Sequence, residues 1–341
     1  MTETPPHNPP LPHLLVTAAS DNYFWGVLLL AGSLRMHGCD LPLLLLSLHI
    51  STPHIEILRR FHNLIIVDAD TQQILADSLD VHPDLTPPRQ TAPPPRNNSP
   101  LFKPMAMMLA FELAETVTWV DADCMAWGNI TPLLMEEFQG IRIRERGATE
   151  NREVFIGRYA ADDIPGEIPR ATLSTWKSDV NSLQTPRLDR QVVTNCFSLQ
   201  RENKHLLEAW ADLMRRVGVT QSDGVVHNAN PAYFMTDEST LTALLAFDPG
   251  APDLSSYNLE DPRGPHLIHF GRHPKPWKAW QYRHFRGSYS KTQAVIRWLR
   301  DNQIAPDHAP WPLNPRLKPI HLLQAGSHEV ARWLKRSLAR S

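Results

Sequence analysis

Cysteine is scarce in this 341-residue chain: Cys39, Cys124 and Cys196 lie far apart, with neither the even count of a disulfide framework nor the close spacing of a zinc site. A disulfide-stapled secreted scaffold and a structural zinc module are thereby excluded, and a reducing cytoplasm is the expected home. Long apolar runs are missing too. No segment reaches 18 uninterrupted apolar residues, and the opening Met-Thr-Glu-Thr-Pro-Pro-His-Asn-Pro-Pro has neither a basic start nor an apolar core. Neither a membrane span nor a secretory leader is expected. There is no internal repeat, so solenoids and propellers drop out. What remains is a near-neutral chain, net charge −2 with 42% hydrophobic residues, able to fill the core of one large or two modest domains.

Strand-like and helix-like runs alternate along its first part. Residues 13–18 read as a buried strand, 23–37 as a helix, 42–49 as a strand, 53–61 as a helix and 63–68 as a strand, the rhythm of βαβ units over a parallel sheet. The stretch 82–100 holds seven prolines and is expected as a loop lying over the site that follows it. Pro104 suits the first turn of a helix running to Ala114. A strand from Thr116 to Val120 then delivers Asp121 at its carboxyl end, where open α/β sheets bind ligands. Residues 144–189 are polar and unperiodic, and are expected as a variable insertion outside the sheet core. Beyond them 190–199 reads as a strand, 203–217 as an amphipathic helix with Leu206, Leu207, Trp210 and Met214 inward, and 237–247 as another helix.

Asp121 and Asp123 are separated by one residue at the end of an apolar run, so in an extended segment both carboxylates point to one side and can share a hard divalent cation with phosphate oxygens. A lone Asp-x-Asp is also a common solvated turn. The context comes from His266-Leu-Ile-His-Phe-Gly-Arg-His-Pro-Lys-Pro-Trp277, a short strand pattern that ends at glycine. His269 offers an imidazole to the same cation, Gly271 allows close backbone approach to a phosphate, and Lys275 supplies a point charge for it. A hydrogen-bonded core histidine is the plainer reading of His269.

These two motifs resemble those of family 8 of the glycosyltransferases: the Asp121-Ala-Asp123 turn followed by Asn129-Ile-Thr-Pro-Leu, and the terminal His269-Phe-Gly…Lys275-Pro-Trp277. A third match, Leu14-Leu-Val-Thr-Ala-Ala-Ser-Asp-Asn-Tyr23, is similar to that family's first strand and nucleotide-binding loop. The resemblance covers roughly residues 13–282 and implies a GT-A fold, an α/β catalytic domain (13–300) with a mostly parallel central sheet flanked by helices. It implies a retaining transferase that moves a hexose from a UDP-sugar to a glycan, lipid-linked glycan or protein acceptor. Mn²⁺ or Mg²⁺ would be held by Asp121, Asp123 and His269, manganese being favoured by the imidazole. Nucleotide-sugar contacts carry over to Ala18, Ser20, Asn22, Tyr23, Lys103, Asp121, Ala122, Gly271 and Lys275. Ser20 stands where many members have a carboxylate. Catalytic or donor-sugar roles carry over to Asn195, Asp237 and Glu238. Phe197 occupies a position that is glycine in the family, where its bulk would narrow the sugar pocket, and Glu238 replaces the family's glutamine. Asp237 is equally suited to capping a helix.

Two rivals share the opening α/β half. A sugar-nucleotide pyrophosphorylase would show a Gly-x-Gly-Thr-Arg loop after the first strand, and Thr17–Tyr23 shows none. A nucleotide-sugar-binding protein without turnover would keep the pocket, and the intact Asp121, Asp123, His269 and Lys275 speak against it. From Arg263 onward fifteen Lys and Arg face three acidic residues, a surplus suited to phosphates, an acidic membrane surface or a charged acceptor. No nucleic-acid motif accompanies this charge, so no nucleic-acid partner is expected. Residues 1–12 are expected as a disordered N-terminal segment. Five prolines mark 301–319 as a linker, and 320–341 is expected as a basic amphipathic helix, either packed on the domain or lying against the inner face of the membrane.

Overall fold

The computed structural model describes residues 10–68 and 99–338, apart from 223, 224, 229, 257, 258, 260, 262, 272 and 307. The expectations for residues 1–9 and 82–98 lie outside the described residues, whereas Leu11 and Pro12, expected in a disordered N-terminal segment, begin β1, which pairs with β4 from Leu11. Eleven strands are described: β1 Leu11–Ser20, β2 Leu43–Leu48, β3 Leu64–Asp68, β4 Ala114–Val120, β5 Cys124–Trp127, β6 Ile141–Glu145, β7 Val192–Gln200, β8 Val219–Ser222, β9 Val225–Asn228, β10 Leu254–Ser255 and β11 His266–His269. Seven form one sheet in the order β10-β6-β7-β4-β1-β2-β3. Strands β4, β1, β2 and β3 run parallel, whereas β7 is antiparallel to both β4 and β6.

Continuous apolar runs build the centre of this sheet because helices cover both of its faces. Along β1, Leu14, Val16 and Ala18 enter one core cluster while Leu15 and Ala19 enter the other. In β2, Leu44 and Leu46 face the first cluster, and Leu43 and Leu45 the second. The Phe24–Met36 helix is buried nearly all round, so its pattern is uniformly apolar. Gly26 lets that helix lean on the Asp121–Asp123 turn: a Cβ there would stand 2.4 Å from the Ala122 carbonyl and 2.8 Å from the Trp277 ring.

The first strands and helices fall where the apolar periodicity puts them, and the Asp237–Phe247 helix matches its expectation at both ends. The helix expected from Pro104 to Ala114 instead spans Ser99–Ala110, with Pro104 inside it. Ala114 is needed as the first residue of β4, which pairs with β1 from Leu11 onward. The polar stretch 144–189 also contributes more than expected. Arg144 and Glu145 finish β6 after a register shift, and Phe155, Ile168 and Trp176 join the core. Its few buried apolar residues are too widely spaced to show a period, and Ile156, Ile164 and Leu183 stay exposed. In the proline-marked stretch, Ile304 and Leu313 are buried, and the Trp280 indole donates to the Pro312 carbonyl at 2.7 Å. A helix follows at Lys318–Leu338, with His321 and Ala325 buried against the domain.

A polar chain ties three strands together inside the sheet. His13 Nε2 lies 2.7 Å from Thr118 Oγ1, which lies 2.6 Å from Ser198 Oγ. Burial, helped by Arg142, lowers the His13 imidazole from 6.5 to about 4. The unfolded chain therefore binds this proton at a pH where the folded chain refuses it, so stability is full above pH 6.5 and drains away as pH falls toward 4. His13 should account for about 3 kcal/mol of that acid loss. In urea unfolding at pH 7 and pH 4.5, His13→Gln is expected to lose less stability on acidification than the native chain; equal losses would contradict this account of the polar chain.

Candidate functional site

Strand β4 ends at Val120, and the turn after it carries Asp121 and Asp123. The chain then forms β5, whose antiparallel partner is β11, with Cys124 opposite His269. That register carries His269 back to the turn, and Phe270 N–H donates to the Asp123 carbonyl at 2.9 Å. His269 Nε2 consequently stands 3.5 Å from Asp123 Oδ1 and 3.9 Å from Asp121 Oδ2. One ligand atom from each of the three lies within 4.8 Å of the others. Gly271 leaves room for the ring, since a Cβ there would come to 3.3 Å from its Cε1.

The other oxygen of each carboxylate is already held. Asp121 Oδ1 accepts from the Trp119 indole at 2.7 Å and from Lys103 Nζ at 2.9 Å. Asp123 Oδ2 accepts from Lys275, whose ammonium also donates to the Phe270 carbonyl at 2.9 Å. Lys103 is itself only 4% exposed and bridges onward to Asp237 Oδ2 at 2.7 Å and to the hydroxyl and carbonyl of Thr194, each at 3.1 Å. Thr194 in turn donates to Asp237 Oδ2 at 2.7 Å.

The charges shift one another. Against burial, Asp121 and Asp237 hold the Lys103 ammonium above its usual value. Against burial again, His269 and Lys275 hold the Asp123 carboxyl well below the carboxylate range. Burial pushes Asp121 up despite Lys103, with Asp123 adding to the push, and the two carboxylates hold the His269 imidazole up against its own burial. Asp237 stays low because Lys103, Thr194 and Thr236 outweigh its burial.

These groups open into a cleft of about 360 Å³ at the carboxyl ends of β1 and β4. Of the residues singled out from sequence, Ala18, Ser20, Tyr23, Lys103, Asp121, Ala122, Asp123, Asp237, Glu238, His269, Gly271 and Lys275 line it. Asn22 and Asn195 stand outside the lining. The Asn22 carbonyl accepts from the Trp277 indole at 3.0 Å, and that ring meets Tyr23 edge to face at 5.7 Å. The Asn195 carbonyl accepts from Asp121 N–H at 2.8 Å and so fixes the Asp121–Asp123 turn from β7. Phe197 does not narrow the cleft. It is fully buried, with its ring 5.8 Å from Trp210 in the core.

Sequence reading misses Trp119, Thr194, Thr236 and Arg146. Thr236 sits before the Asp237–Phe247 helix at φ 43°, a left-handed conformation that costs a threonine about 1–3 kcal/mol and aims the following acids at the cleft. Arg146 holds Glu238 Oε2 at 2.5 Å. No local pattern marks either residue, because their importance comes from partners about 90 residues away or from backbone shape.

No protein-family model and no curated protein matches the sequence. Among solved structures, the bifunctional glycosyltransferase WbbM in its apo form aligns at 12% identity and TM-score 0.52, over 91% of this chain and 52% of that one. The chain therefore spans about half the length of that protein. The galactosyltransferase LgtC in complex with donor and acceptor sugar analogs aligns at 12% identity and TM-score 0.47, over 86% of this chain and 98% of that one. Mouse xyloside xylosyltransferase 1, apo form, aligns at 13% identity and TM-score 0.42, over 88% and 96%. What this likeness establishes is the architecture: a GT-A glycosyltransferase fold, mixed α/β with a mostly parallel seven-stranded central sheet.

Removing Lys103 would leave Asp121 and Asp237 as uncompensated charges in a buried site. Lys103→Met is expected to lower unfolding stability by about 3 kcal/mol or more in urea titration. A loss below about 1 kcal/mol, the scale of a solvated ion pair, would mean that the bridge is not what holds the acids together.

Proposed function

We propose that this protein is a metal-dependent glycosyltransferase that moves a hexose from a UDP-sugar to an acceptor hydroxyl, with retention of configuration as the resemblance to family 8 implies. The observation that carries the reading is the shared use of Asp121 and Asp123: each gives one oxygen to a lysine and turns the other toward His269. Two carboxylate oxygens and one imidazole nitrogen form a donor set that suits Mn²⁺, with Mg²⁺ the less favoured choice. Asp121, Asp123 and His269 would hold the ion, which when bound supplies Lewis-acid stabilisation of the charge on a departing diphosphate.

The chain's own residues supply the rest. Lys275 adds positive charge beside the phosphate positions, and Lys103 adds it from beneath while tying Asp121 to Asp237. Gly271 permits close approach of the backbone to a phosphate. Ser20 and Tyr23, with Ala18 and Ala122, line the end of the cleft that would receive uridine. Asn22 supports that end through its carbonyl contact to Trp277. Asp237 and Glu238 line the same cleft, where the sugar and the attacking hydroxyl would meet, and Asn195 steadies the Asp121–Asp123 turn.

No helix among the described residues is long and apolar enough to cross a membrane. The reading we favour is cytoplasmic, at the inner face of the membrane, with a lipid-linked or lipopolysaccharide-type glycan as acceptor. On the Lys318–Leu338 helix, Ile320, Leu323 and Val330 are 52%, 74% and 58% exposed along one face, and Arg316 and Lys318 stand beside its start. Apolar side chains flanked by cations suit an anionic lipid surface. The triple change Ile320→Ser, Leu323→Ser and Val330→Ser is expected to abolish sedimentation with phosphatidylserine vesicles at low salt. Equal sedimentation of both forms, or of neither, removes the membrane contact.

Asp123→Ala and His269→Ala each remove a ligand that the remaining two cannot replace against water. Both are expected to lose Mn²⁺-dependent UDP binding with the fold retained, and UDP should raise the melting temperature of the native chain more than ADP or GDP. Near-normal binding by either variant would refute the metal assignment, and equal shifts by the three nucleotides would refute the choice of uridine.

A further inference from the structure

Glu238 is held by a device that nothing in the metal site explains. Its Oε2 accepts from Arg146 at 2.5 Å, and Arg146 also donates to Glu150 at 2.7 Å. Arg144 grips the same Glu150 with both guanidinium nitrogens, at 2.8 and 3.2 Å. The result is an alternating run of two acids and two bases that starts at the cleft-lining Glu238 and leads away from it, through Arg146 and the more exposed Glu150, to Arg144. Backbone contacts brace both ends. Arg146 N–H donates to the Gln191 carbonyl at 2.9 Å, and Gln191 Nε2 donates to Ser239 Oγ at 3.0 Å, one residue beyond Glu238. Thr242 donates to the Glu238 carbonyl at 2.6 Å.

Only one oxygen of Glu238 is used by this device. Among the described residues Oε1 makes no hydrogen bond, although the residue lines the cleft. A guanidinium does not give up its proton, so Oε2 stays an acceptor, and in the ionised carboxyl the unbonded Oε1 is an acceptor as well. Asp237, the chain neighbour of Glu238, is one lysine away from the Asp121, Asp123 and His269 group. On the nucleotide-sugar reading, a diphosphate at that group would place its sugar in the cleft that Glu238 also lines. Sugars meet acceptor-only oxygens with their hydroxyl donors.

We propose that Arg146 is a positioning residue which pins Glu238 through one oxygen so that the other accepts a hydrogen bond from a hydroxyl of the donor sugar, making the pair a determinant of donor choice and not a source of covalent attack. This rests on the nucleotide-sugar reading above. A carboxylate anchored by a guanidinium has its charge drawn toward the partner and its orientation fixed, which suits recognition and weakens it as a nucleophile.

The test is calorimetric titration of the full chain in Mn²⁺ with UDP and with UDP-glucose, UDP-galactose and UDP-N-acetylglucosamine. Glu238→Ala is expected to weaken the preferred UDP-sugar about tenfold to a hundredfold, the value of a hydrogen bond to a charged group, while UDP itself binds within about twofold of the native chain. Arg146→Met should show a smaller loss that Arg146→Lys largely restores, and it should have no further effect in the Glu238→Ala background. An unchanged UDP-sugar affinity in Glu238→Ala overturns the proposal, as does an Arg146 effect that persists without Glu238. Intact-protein mass spectrometry showing a sugar bonded to Glu238 after mixing with donor overturns it too. Should the native chain bind no UDP, the nucleotide-sugar reading falls first and this inference with it.

Discussion

The cleft depends on how two carboxylates divide their oxygens. Asp121 and Asp123 are mutually repulsive acids in a buried turn, a placement that costs several kcal/mol per charge unless each is compensated. Lys103 and Trp119 satisfy one oxygen of Asp121, and Lys275 satisfies one oxygen of Asp123. Each acid then has a second oxygen turned toward His269, and the three ligands converge without collapsing onto one another. Had neither oxygen of either acid been neutralised, the turn would not tolerate burial.

That division is a consequence of the sheet. β4 delivers the turn at the carboxyl end of the parallel strands, β7 supplies Thr194 and the Asn195 carbonyl beside it, and the β5–β11 ribbon returns His269 to within reach. Lys103 arrives from the Ser99–Ala110 helix and binds three elements at once: the turn, β7 and the start of the Asp237–Phe247 helix. The same lysine thereby links the Asp121, Asp123 and His269 group to the acid pair Asp237 and Glu238. Thr236, held with a left-handed backbone, fixes where that pair points.

Much of this was legible in the amino-acid order, and what was hidden follows a pattern. Local apolar runs reveal β1 and β2, because strands buried on both faces must be apolar throughout, and the partly buried edge strand β3 shows the same run. Asp121, Asp123 and His269 stand out because their chemistry is unusual at the end of an apolar strand. Lys103 is visible only through the resemblance, and Trp119, Thr194 and Arg146 are not visible at all: each matters for a partner supplied by the fold. Phe197 shows the converse error, since a position inferred to border the sugar turns out to pack on Trp210. The stretch 144–189 misleads for a related reason, its buried anchors Phe155, Ile168 and Trp176 being too sparse to show a period.

The most direct test of the account is turnover: release of UDP from a panel of UDP-sugars, measured with Mn²⁺ and after chelation, in the native chain and in Asp123→Ala. The account predicts that at least one UDP-sugar is consumed by the native chain with Mn²⁺, that chelation stops the release, and that the variant is silent at every Mn²⁺ concentration tried. Tight binding of UDP-sugars with no release under any of these conditions would make the cleft a nucleotide-sugar receptor, and release that ignores chelation would contradict the metal-centred account.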